Sequence, residues 1–167
     1  MSHCRRFDPA LTGEDTKEFT FKILNSPGFL PDVLRDYPRL MAEYQHAMNT
    51  CCQPFAMVGP DNKMGGVFFL SNVVPGHEGQ LFLWIWNPKC YTATTRKFLE
   101  GYIEHFAEEM GLARVYCRTP DDKKKGRLLE KMGWKLESRA KSGWKSGGVL
   151  STLFGYRKLF RITGGVQ

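Results

Sequence analysis

The sequence predicts an α/β fold of the α+β kind, in which a mixed, mostly antiparallel sheet of about six to seven strands carries helices on both faces and a parallel pair in its middle. Three observations support this prediction. Strand-like and helix-like segments alternate along 167 residues, hairpin-length loops join the three middle strands, and a helix separates two later strands. A helix between two strands usually makes a right-handed crossover between parallel neighbours, so we expect those two strands to pair in parallel.

Length and composition favour one globular domain. A chain of 167 residues suits a single core, and its 42% hydrophobic and 13% aromatic residues supply the apolar surface to close it. We therefore expect one domain over residues 1–167, with 164–167 as a flexible tail. No apolar run approaches the roughly 20 residues needed to span a bilayer, and the first residues lack the apolar stretch of a secretory signal. A cytoplasmic protein with no membrane partner is expected.

The net charge indicates which kind of partner the protein binds, and the cysteine spacing indicates which kinds of disulfide or metal site to expect. The net charge of +7 favours an anionic partner, such as nucleic acid, an acidic protein surface or a phosphorylated cofactor. The five cysteines are odd in number and show no Cys-x-x-Cys spacing, which favours free thiols in a reducing compartment. A structural metal site is not expected, because the spacing of its ligands is missing.

The first half of the chain predicts a strand, a helix and three strands. Residues 18–24 alternate apolar and polar, as a half-buried strand does, and residues 31–49 show helical spacing that Pro38 must kink or divide. Three strand-like runs follow, at 54–58, 64–74 and 80–86. The last run is apolar at nearly every position, which predicts a strand covered on both faces. One face would carry Leu81, Leu83 and Ile85, and the other Phe82, Trp84 and Trp86.

The second half predicts two helices and three strands. The clearest helix has an apolar stripe from Phe98 to Met110, with Thr94 or Thr95 as its cap and Gly111 at its end. A strand at 113–117 follows. Thr119 is then expected to cap a second helix that ends at Gly133. Two strands, near 134–139 and 149–160, finish the chain, and the stretch 143–148 around Trp144 is expected to form the hairpin tip.

The segment 80–139 resembles the GNAT acetyltransferase superfamily. The resemblance rests on the apolar strand, the Asn87-Pro88 loop, the amphipathic helix, the strand and the short helix in this order. Residues 128–137 are similar to the leucine-rich helix, glycine, aromatic residue and strand with which the family ends its last sheet-flanking helix. Residues 153–159 are similar to the closing strand of the family. The resemblance covers about two-thirds of the chain.

The resemblance implies acetyl-CoA as the cofactor. In this fold two parallel strands, here near 80–86 and 113–117, splay apart after a bulge, and the pantetheine amides of the cofactor replace the missing strand partner. The pyrophosphate lies over the N-terminus of the following helix, where unpaired amides and the helix dipole stabilise negative charge. The implied cofactor-binding residues are Ile85, Trp86, Asn87, Lys89, Tyr91, Thr92, Ala93, Thr94, Thr95, Arg96, Asp122 and Lys125.

Several positions depart from the family pattern. The pyrophosphate loop of the family runs Gln/Arg-x-x-Gly-x-Gly/Ala, and the corresponding residues here are Tyr91, Thr94 and Arg96. Both small residues are lost, so backbone and pyrophosphate approach less closely. Leu129 occupies the position of the tyrosine that protonates the leaving thiolate in many members. Asp122 stands where many members have asparagine.

Acyl transfer to an amine needs a neutral amine, a polarised thioester carbonyl and a route for protons. The candidates for a base are His77 and Glu78, at the entrance to strand 80–86, with a solvated turn as the alternative. Cys117 is a candidate thiol donor, with a buried structural cysteine as the alternative. Amides of Trp86 and its neighbours are candidates to polarise the carbonyl. Cys90 lies before a helix N-terminus, where a thiol pKa can fall.

The leading hypothesis is an acetyl-CoA-dependent N-acyltransferase that acts on a primary amine by direct transfer in a ternary complex. One alternative is a catalytically degenerate protein of the same fold that serves in binding or assembly. The other is a basic nucleic-acid-binding domain, which ranks last because no helix-turn-helix, zinc-finger or aromatic RNA-binding motif occurs. The acceptor amine is not identified by the sequence, a nucleic-acid partner is not expected, and a homodimer is left open.

Overall fold

The computed structural model describes residues 1–6 and 52–161. The predicted strand 18–24, the predicted helix 31–49 with Pro38 and the predicted tail 164–167 lie outside the described residues. The strands are β1 (His3–Arg6), β2 (Phe55–Val58), β3 (Met64–Val74), β4 (Glu78–Ile85), β5 (Arg114–Thr119), β6 (Lys135–Ser146) and β7 (Val149–Leu159). The helices are α1 (Ala93–Glu109) and α2 (Arg127–Lys131), with a 3₁₀ turn at Pro88–Cys90 and a π-helical turn at Asp122–Gly126.

The strands of the described residues form a seven-stranded sheet in the order β1-β2-β3-β4-β5-β7-β6. Strands β1 to β4 pair antiparallel, β4 and β5 pair in parallel, and β6 and β7 form an antiparallel hairpin. The predicted mixed, mostly antiparallel sheet with one parallel pair is thus confirmed. Strand β1 was not predicted, because its four residues, His-Cys-Arg-Arg, show no apolar alternation.

The chain divides into two compact units. Of the described residues, 1–6, 52–117 and 158–161 belong to the first unit and 118–157 to the second. The single domain expected from the sequence stays a prediction. No helix in the described part of the chain is both long and apolar enough to span a bilayer.

The core of the first unit lies between β3 and α1. Residues 64–70 of β3 are all buried. Aromatic rings from the sheet and the helix meet there: Tyr102 lies 5.2 Å from Phe68 and 5.6 Å from Phe55, both edge-on. The Tyr102 hydroxyl also accepts the buried N–H of Leu70 at 3.2 Å. Helix α1 is therefore fixed to the sheet by apolar packing and by one polar contact.

Strand β4 is less evenly covered than its apolar sequence predicts. Leu81 and Leu83 are buried, whereas Phe82 and Trp84 on the opposite face are half-buried. The Phe82 ring stacks on Phe69 at 4.5 Å and meets Trp84 edge-on at 5.4 Å. Aromatic side chains protect one another on this face, so a run of apolar residues did not require complete burial.

The cap of α1 differs from the prediction. The N-cap is Thr92, whose side chain accepts the N–H of Thr95, while the Thr95 hydroxyl accepts the N–H of Thr92. This reciprocal capping box selects Thr92 over the expected Thr94 or Thr95, because only residues three apart can exchange both bonds. Gly111 has φ +62 after the helix end, which confirms its predicted left-handed conformation.

In the second unit the predicted helix begins in a different way. The cap is Asp121, whose side chain accepts the N–H of Lys124 at 3.0 Å, whereas Thr119 accepts the N–H of Asp121. A π-helical turn precedes α2, which is only five residues long. Gly133 has φ +82 and ends the segment as predicted.

The β6–β7 hairpin is longer than predicted. Its turn is formed by Gly147 and Gly148, both with positive φ, as a two-residue hairpin turn requires. Trp144 lies within β6 opposite Ser151 and not in a loop. Two register shifts interrupt β6, between Leu136 and Ser138 and between Ala140 and Trp144. These bulges hide the alternation that would have predicted the longer strand.

Candidate cofactor and active site

The parallel pairing of β4 and β5 covers only part of each strand. The paired residues run from Glu78 opposite Arg114 to Gln80 opposite Tyr116. Strand β4 continues to Ile85 and β5 to Thr119, and the register between these described strands includes none of those further residues. The two strands thus separate beyond Gln80, which agrees with the expected splayed pair.

The directions of the β4 backbone groups follow from its other neighbour. The N–H of Trp86 donates to the carbonyl of Gly65, at the end of the β3 ladder, at 2.9 Å. Backbone groups alternate in direction along a strand, so Leu83 and Ile85 direct theirs to the side where β5 has separated. The N–H of Trp86 is already engaged, and it is therefore not available to polarise a thioester carbonyl.

The expected bulge lies in β3 and not in β4. The β3–β4 register is regular from Gly66 opposite Ile85 to Ser71 opposite Gln80, and then shifts before Val74. Asn72 has φ +48 at this irregularity. The splay of β4 from β5 therefore occurs along a straight part of β4.

The loop after β4 is held by its own side chains. The Asn87 side chain accepts the N–H of Lys89 at 3.1 Å, and the Cys90 thiol donates to the Asn87 carbonyl at 2.9 Å. The Thr95 hydroxyl donates to the Cys90 carbonyl at 2.9 Å and is fully buried. Asn87 and Thr95 thus shape the loop, while Lys89 is exposed beside it.

The start of α1 presents hydrogen-bond donors. The capping box engages the N–H groups of Thr92 and Thr95, and that of Arg96 donates to the Thr92 carbonyl. No hydrogen bond within the described part of the chain engages the N–H groups of Ala93 and Thr94, whose side chains are exposed. These two amides and the dipole of a 17-residue helix favour an anion here.

Arg96 adds a buried donor at the same place. Its Nε atom is buried and has no hydrogen-bond partner among the described residues. A buried, unsatisfied guanidinium nitrogen is costly, and an acceptor from a ligand would relieve that cost. Burial raises the pKa of the neighbouring Tyr91 to about 12, with the Arg96 charge opposing the rise. Tyr91 is therefore a neutral phenol at physiological pH.

Cys90 does not have the lowered pKa that its place before a helix suggested. Burial raises the pKa of its thiol from 9.0 to about 11. Its side chain is fully buried and points to the Asn87 carbonyl instead of the helix amides. The thiol stays protonated, which excludes it as a nucleophile at neutral pH.

The two candidate bases share one cavity of about 330 Å³ at the entrance to β4. Its lining consists of Val74, His77, Glu78, Ala113 and Arg114. Arg114 donates to Glu78 Oε2 from Nε at 3.0 Å and from its terminal nitrogen at 2.5 Å. His77 is exposed in the turn. The cavity thus holds a carboxylate in a fixed orientation beside an accessible imidazole.

Comparisons with known proteins identify the architecture. A Salmonella typhimurium protein solved with its cofactor acetyl-CoA matches with a TM-score of 0.70 at 12% identity, covering 100% of this chain and 98% of that one. A variant of spermidine N-acetyltransferase from Vibrio cholerae matches at 0.64 and 12% identity, covering 95% and 93%. Ribosomal-protein-S5-alanine acetyltransferase from Vibrio fischeri matches at 0.63 and 16%, covering 95% and 92%. The chain has the GNAT acetyltransferase fold. No family model and no curated protein matches its sequence.

The remaining predicted residues have separate places in the GNAT fold. Cys117 is fully buried on β5, one residue beyond the last registered pair with β4. Asp122 and Lys125 belong to the π-helical turn of the second unit. Leu129 is fully buried in α2, as a core residue. The described residues contain no group of three or more His, Cys, Asp or Glu that could hold a metal ion.

Sequence reasoning missed two features of this GNAT-fold site. Gly65 accepts the N–H groups of both Trp86 and Asn87, and the strand-internal glycine pair Gly65-Gly66 was the available signal. At the end of the parallel pairing, Gln80 Oε1 accepts from Asn72 at 2.8 Å and from the Tyr116 hydroxyl at 3.4 Å. Asn72 lies eight residues from Gln80 and Tyr116 lies 36, and no motif links the three positions.

Proposed function

We propose that this protein is an acetyl-CoA-dependent N-acyltransferase that transfers the acyl group directly to a primary amine of a small molecule or protein in a ternary complex. The single observation that carries the proposal is the separation of β4 from β5 beyond Gln80, next to the donor-rich start of α1. Neighbours with the same fold support the reaction class. One is solved with acetyl-CoA, one is named a spermidine N-acetyltransferase and one a ribosomal-protein-S5-alanine acetyltransferase.

The residues fit the cofactor. Arg96 Nε and the N–H groups of Ala93 and Thr94 would hold the pyrophosphate, with exposed Lys89 adding positive charge. Thr92 and Thr95 support that site through the capping box. The cofactor supplies the activated acyl group when it is bound.

The pantetheine arm would bind along the open edge of β4. The backbone groups of Leu83 and Ile85 face the separated side, and a chain of amides can hydrogen-bond to such an edge as an added strand does. Trp86 and Asn87 hold the end of this edge in place, because their N–H groups donate to the Gly65 carbonyl. Ile85, the last residue of β4, connects the pantetheine edge to the pyrophosphate loop.

The acceptor side is assigned to the cavity at the entrance to β4. Glu78, oriented by Arg114, and the exposed His77 would take the proton that the attacking amine must lose. Cys117, buried beyond the paired segment, is the thiol available to protonate the leaving thiolate. A cytoplasmic location and a single domain are part of the same proposal.

The test is calorimetric titration of the chain with acetyl-CoA, comparing Arg96→Ala with Lys97→Ala. Arg96→Ala is expected to weaken binding at least 10-fold, because it removes a charge-assisted donor from a partly desolvated site. Lys97→Ala removes an exposed cation one residue away and is expected to leave affinity within 2-fold. If the unsubstituted chain does not bind acetyl-CoA at millimolar concentration, the proposal is wrong.

A second candidate function is a binding or assembly protein of the same fold without catalysis. It is favoured by Leu129, which is buried and cannot donate a proton. Release of free coenzyme A thiol in the presence of a panel of primary amines separates the two. Binding of acetyl-CoA with no amine-dependent thiol release would favour this second function.

A further inference from the structure

The charge surplus of the protein is confined to one part of the chain. Residues 118–157 carry eleven Lys and Arg residues against four Asp and Glu residues, a surplus of +7 that equals that of the whole chain. The other 127 residues carry thirteen of each sign. The proposed transferase activity does not require this partition, since the donors at the start of α1 lie in the neutral part.

Within that stretch the cations of β6 have no anionic partners among residues 1–6 and 52–161. Lys135, Arg139, Lys141 and Lys145 are exposed, and none of them forms an ion pair with a described residue. Lys135 and Lys145 lie opposite Arg157 and Leu150. These partners are seven residues apart on β7, so the stretch is about 23 Å long at roughly 3.3 Å per residue. Exposed lysines on an edge strand also prevent pairing with another chain, but this protection does not require aromatic or apolar side chains beside the cations. The single acid of β6 is Glu137.

An aromatic and an apolar side chain of β7 lie opposite two of these cations. Arg139 pairs with Phe154 across the hairpin, with its guanidinium carbon 5.9 Å from the ring centroid. Lys145 pairs with Leu150, which is 58% exposed. Phe154 and Leu150 are four residues apart on β7 and therefore share a face. We call Arg139, Lys145, Leu150 and Phe154 the hairpin face.

We propose that the hairpin face binds single-stranded RNA. Exposed cations that form no ion pair with a described residue attract phosphates, and a half-buried aromatic ring beside an arginine offers a stacking platform for unpaired bases. A duplex would hide the base faces that this platform needs. An acidic peptide would use the cations but would gain nothing from the Phe154 ring.

The experiment measures fluorescence anisotropy of a labelled 12-nucleotide poly(U) RNA with the full chain at 50, 100 and 200 mM KCl. We expect micromolar binding that weakens with salt. The double variant Arg139→Glu/Lys145→Glu is expected to weaken binding at least 10-fold and to reduce the magnitude of the salt slope by about 1.4, because two phosphate contacts are lost. Saturating acetyl-CoA is expected to leave RNA binding unchanged.

The matched control is Lys63→Glu/Lys97→Glu, which changes the net charge equally at two exposed residues of the first unit. Equal weakening by both double variants would mean unspecific attraction by net charge and would overturn the proposal. Phe154→Leu is expected to reduce affinity for poly(U) severalfold while leaving affinity for inorganic polyphosphate unchanged. Circular dichroism confirms that each variant is folded.

Three further outcomes would also overturn the proposal. Polyglutamate of equal charge could displace the labelled RNA as effectively as unlabelled poly(U). That result would assign the hairpin face to acidic protein segments. Duplex RNA that binds more tightly than poly(U) would exclude base stacking. Light scattering could instead show that the unsubstituted chain is a dimer that does not bind RNA, while the Arg139→Glu/Lys145→Glu variant is a monomer. That result would assign the hairpin face to a second copy of the chain.

Discussion

Gly65 shows how one residue without a side chain can organise a loop. A Cβ at this position would lie 2.9 Å from Asn87 Cβ and 2.9 Å from Cys90 Sγ, closer than real Cβ contacts allow. Its carbonyl accepts the N–H groups of Trp86 and Asn87, the two residues that follow β4. The glycine thus permits the close approach of β3 to the loop that precedes α1, and with it the position of Arg96.

Gly65→Ala is therefore expected to weaken acetyl-CoA binding about 10-fold or more and to lower stability, because the loop must move away from β3. The matched control is Gly101→Ala, at a position in α1 with nothing within 4 Å, where the change is expected to stabilise by up to about 1 kcal/mol. Calorimetric titration and thermal unfolding measure both effects.

A second substitution checks the cause. Gly65→Ala/Cys90→Ala removes the Sγ atom at 2.9 Å and is expected to recover part of the lost affinity. Wild-type affinity in Gly65→Ala alone would show that the loop does not depend on this close approach.

At the scale of elements, the attachment of α1 to the sheet decides where the helix start lies. The Tyr102 hydroxyl reaches the N–H of Leu70 on a fully buried stretch of β3. Strand β3 extends over Met64–Val74, as its sequence predicts, because β-branched and aromatic residues lie between a turn and Pro75. The partner of the Tyr102 hydroxyl was not predictable, since it lies 32 residues away.

Tyr102→Phe is expected to destabilise the protein by about 1–3 kcal/mol, because it leaves the buried Leu70 N–H without this acceptor. Tyr116→Phe serves as the comparison: its hydroxyl lies 3.4 Å from Gln80 Oε1 at a half-exposed place, and a loss below about 1 kcal/mol is expected. Urea unfolding measures both values. Equal losses in the two variants would contradict a special role for the Tyr102 contact.

At the scale of the whole molecule, cysteine thiols whose pKa is raised by burial make the free energy of unfolding depend on pH in the alkaline range. Burial raises the pKa of Cys4 to about 12, with the Cys90 charge adding to the rise, and burial raises that of Cys90 to about 11. The folded pKa values exceed the unfolded value of 9.0, so the unfolded chain loses its protons first. The contribution of these groups is fully present below about pH 9 and is lost as the pH rises toward 11–12.

We therefore expect the contribution of these thiols to the free energy of unfolding to be constant up to about pH 9 and to fall above it. Urea unfolding in the presence of a reducing agent measures this dependence. Cys90→Ala is expected to flatten the fall by at most about 1.4 kcal/mol per pH unit, the contribution of one proton. The slopes are compared, because the substitution also leaves a cavity that lowers stability at every pH. An unchanged slope in Cys90→Ala would contradict the assigned cause.

The sequence by itself determined the order of elements from 54 onwards and the parallel pair within an antiparallel sheet, and it marked the segment that we propose as an anion site. These features depend on local periodicity, on turn residues such as Gly111 and Gly133, and on the handedness of a strand-helix-strand connection. Each is encoded within a few residues of the element it defines, so the pattern is visible without coordinates.

The tertiary structure decided which of those residues have groups that can contact a ligand. Thr95 was predicted as a cofactor contact, but its hydroxyl is engaged inside the loop, and Cys90 is buried with a raised pKa. The unsatisfied Arg96 Nε and the Gly65 carbonyl became visible only when strands distant in sequence were brought together. Hydrogen-bond satisfaction and burial depend on all neighbours in space, and for these residues the neighbours come from other parts of the chain.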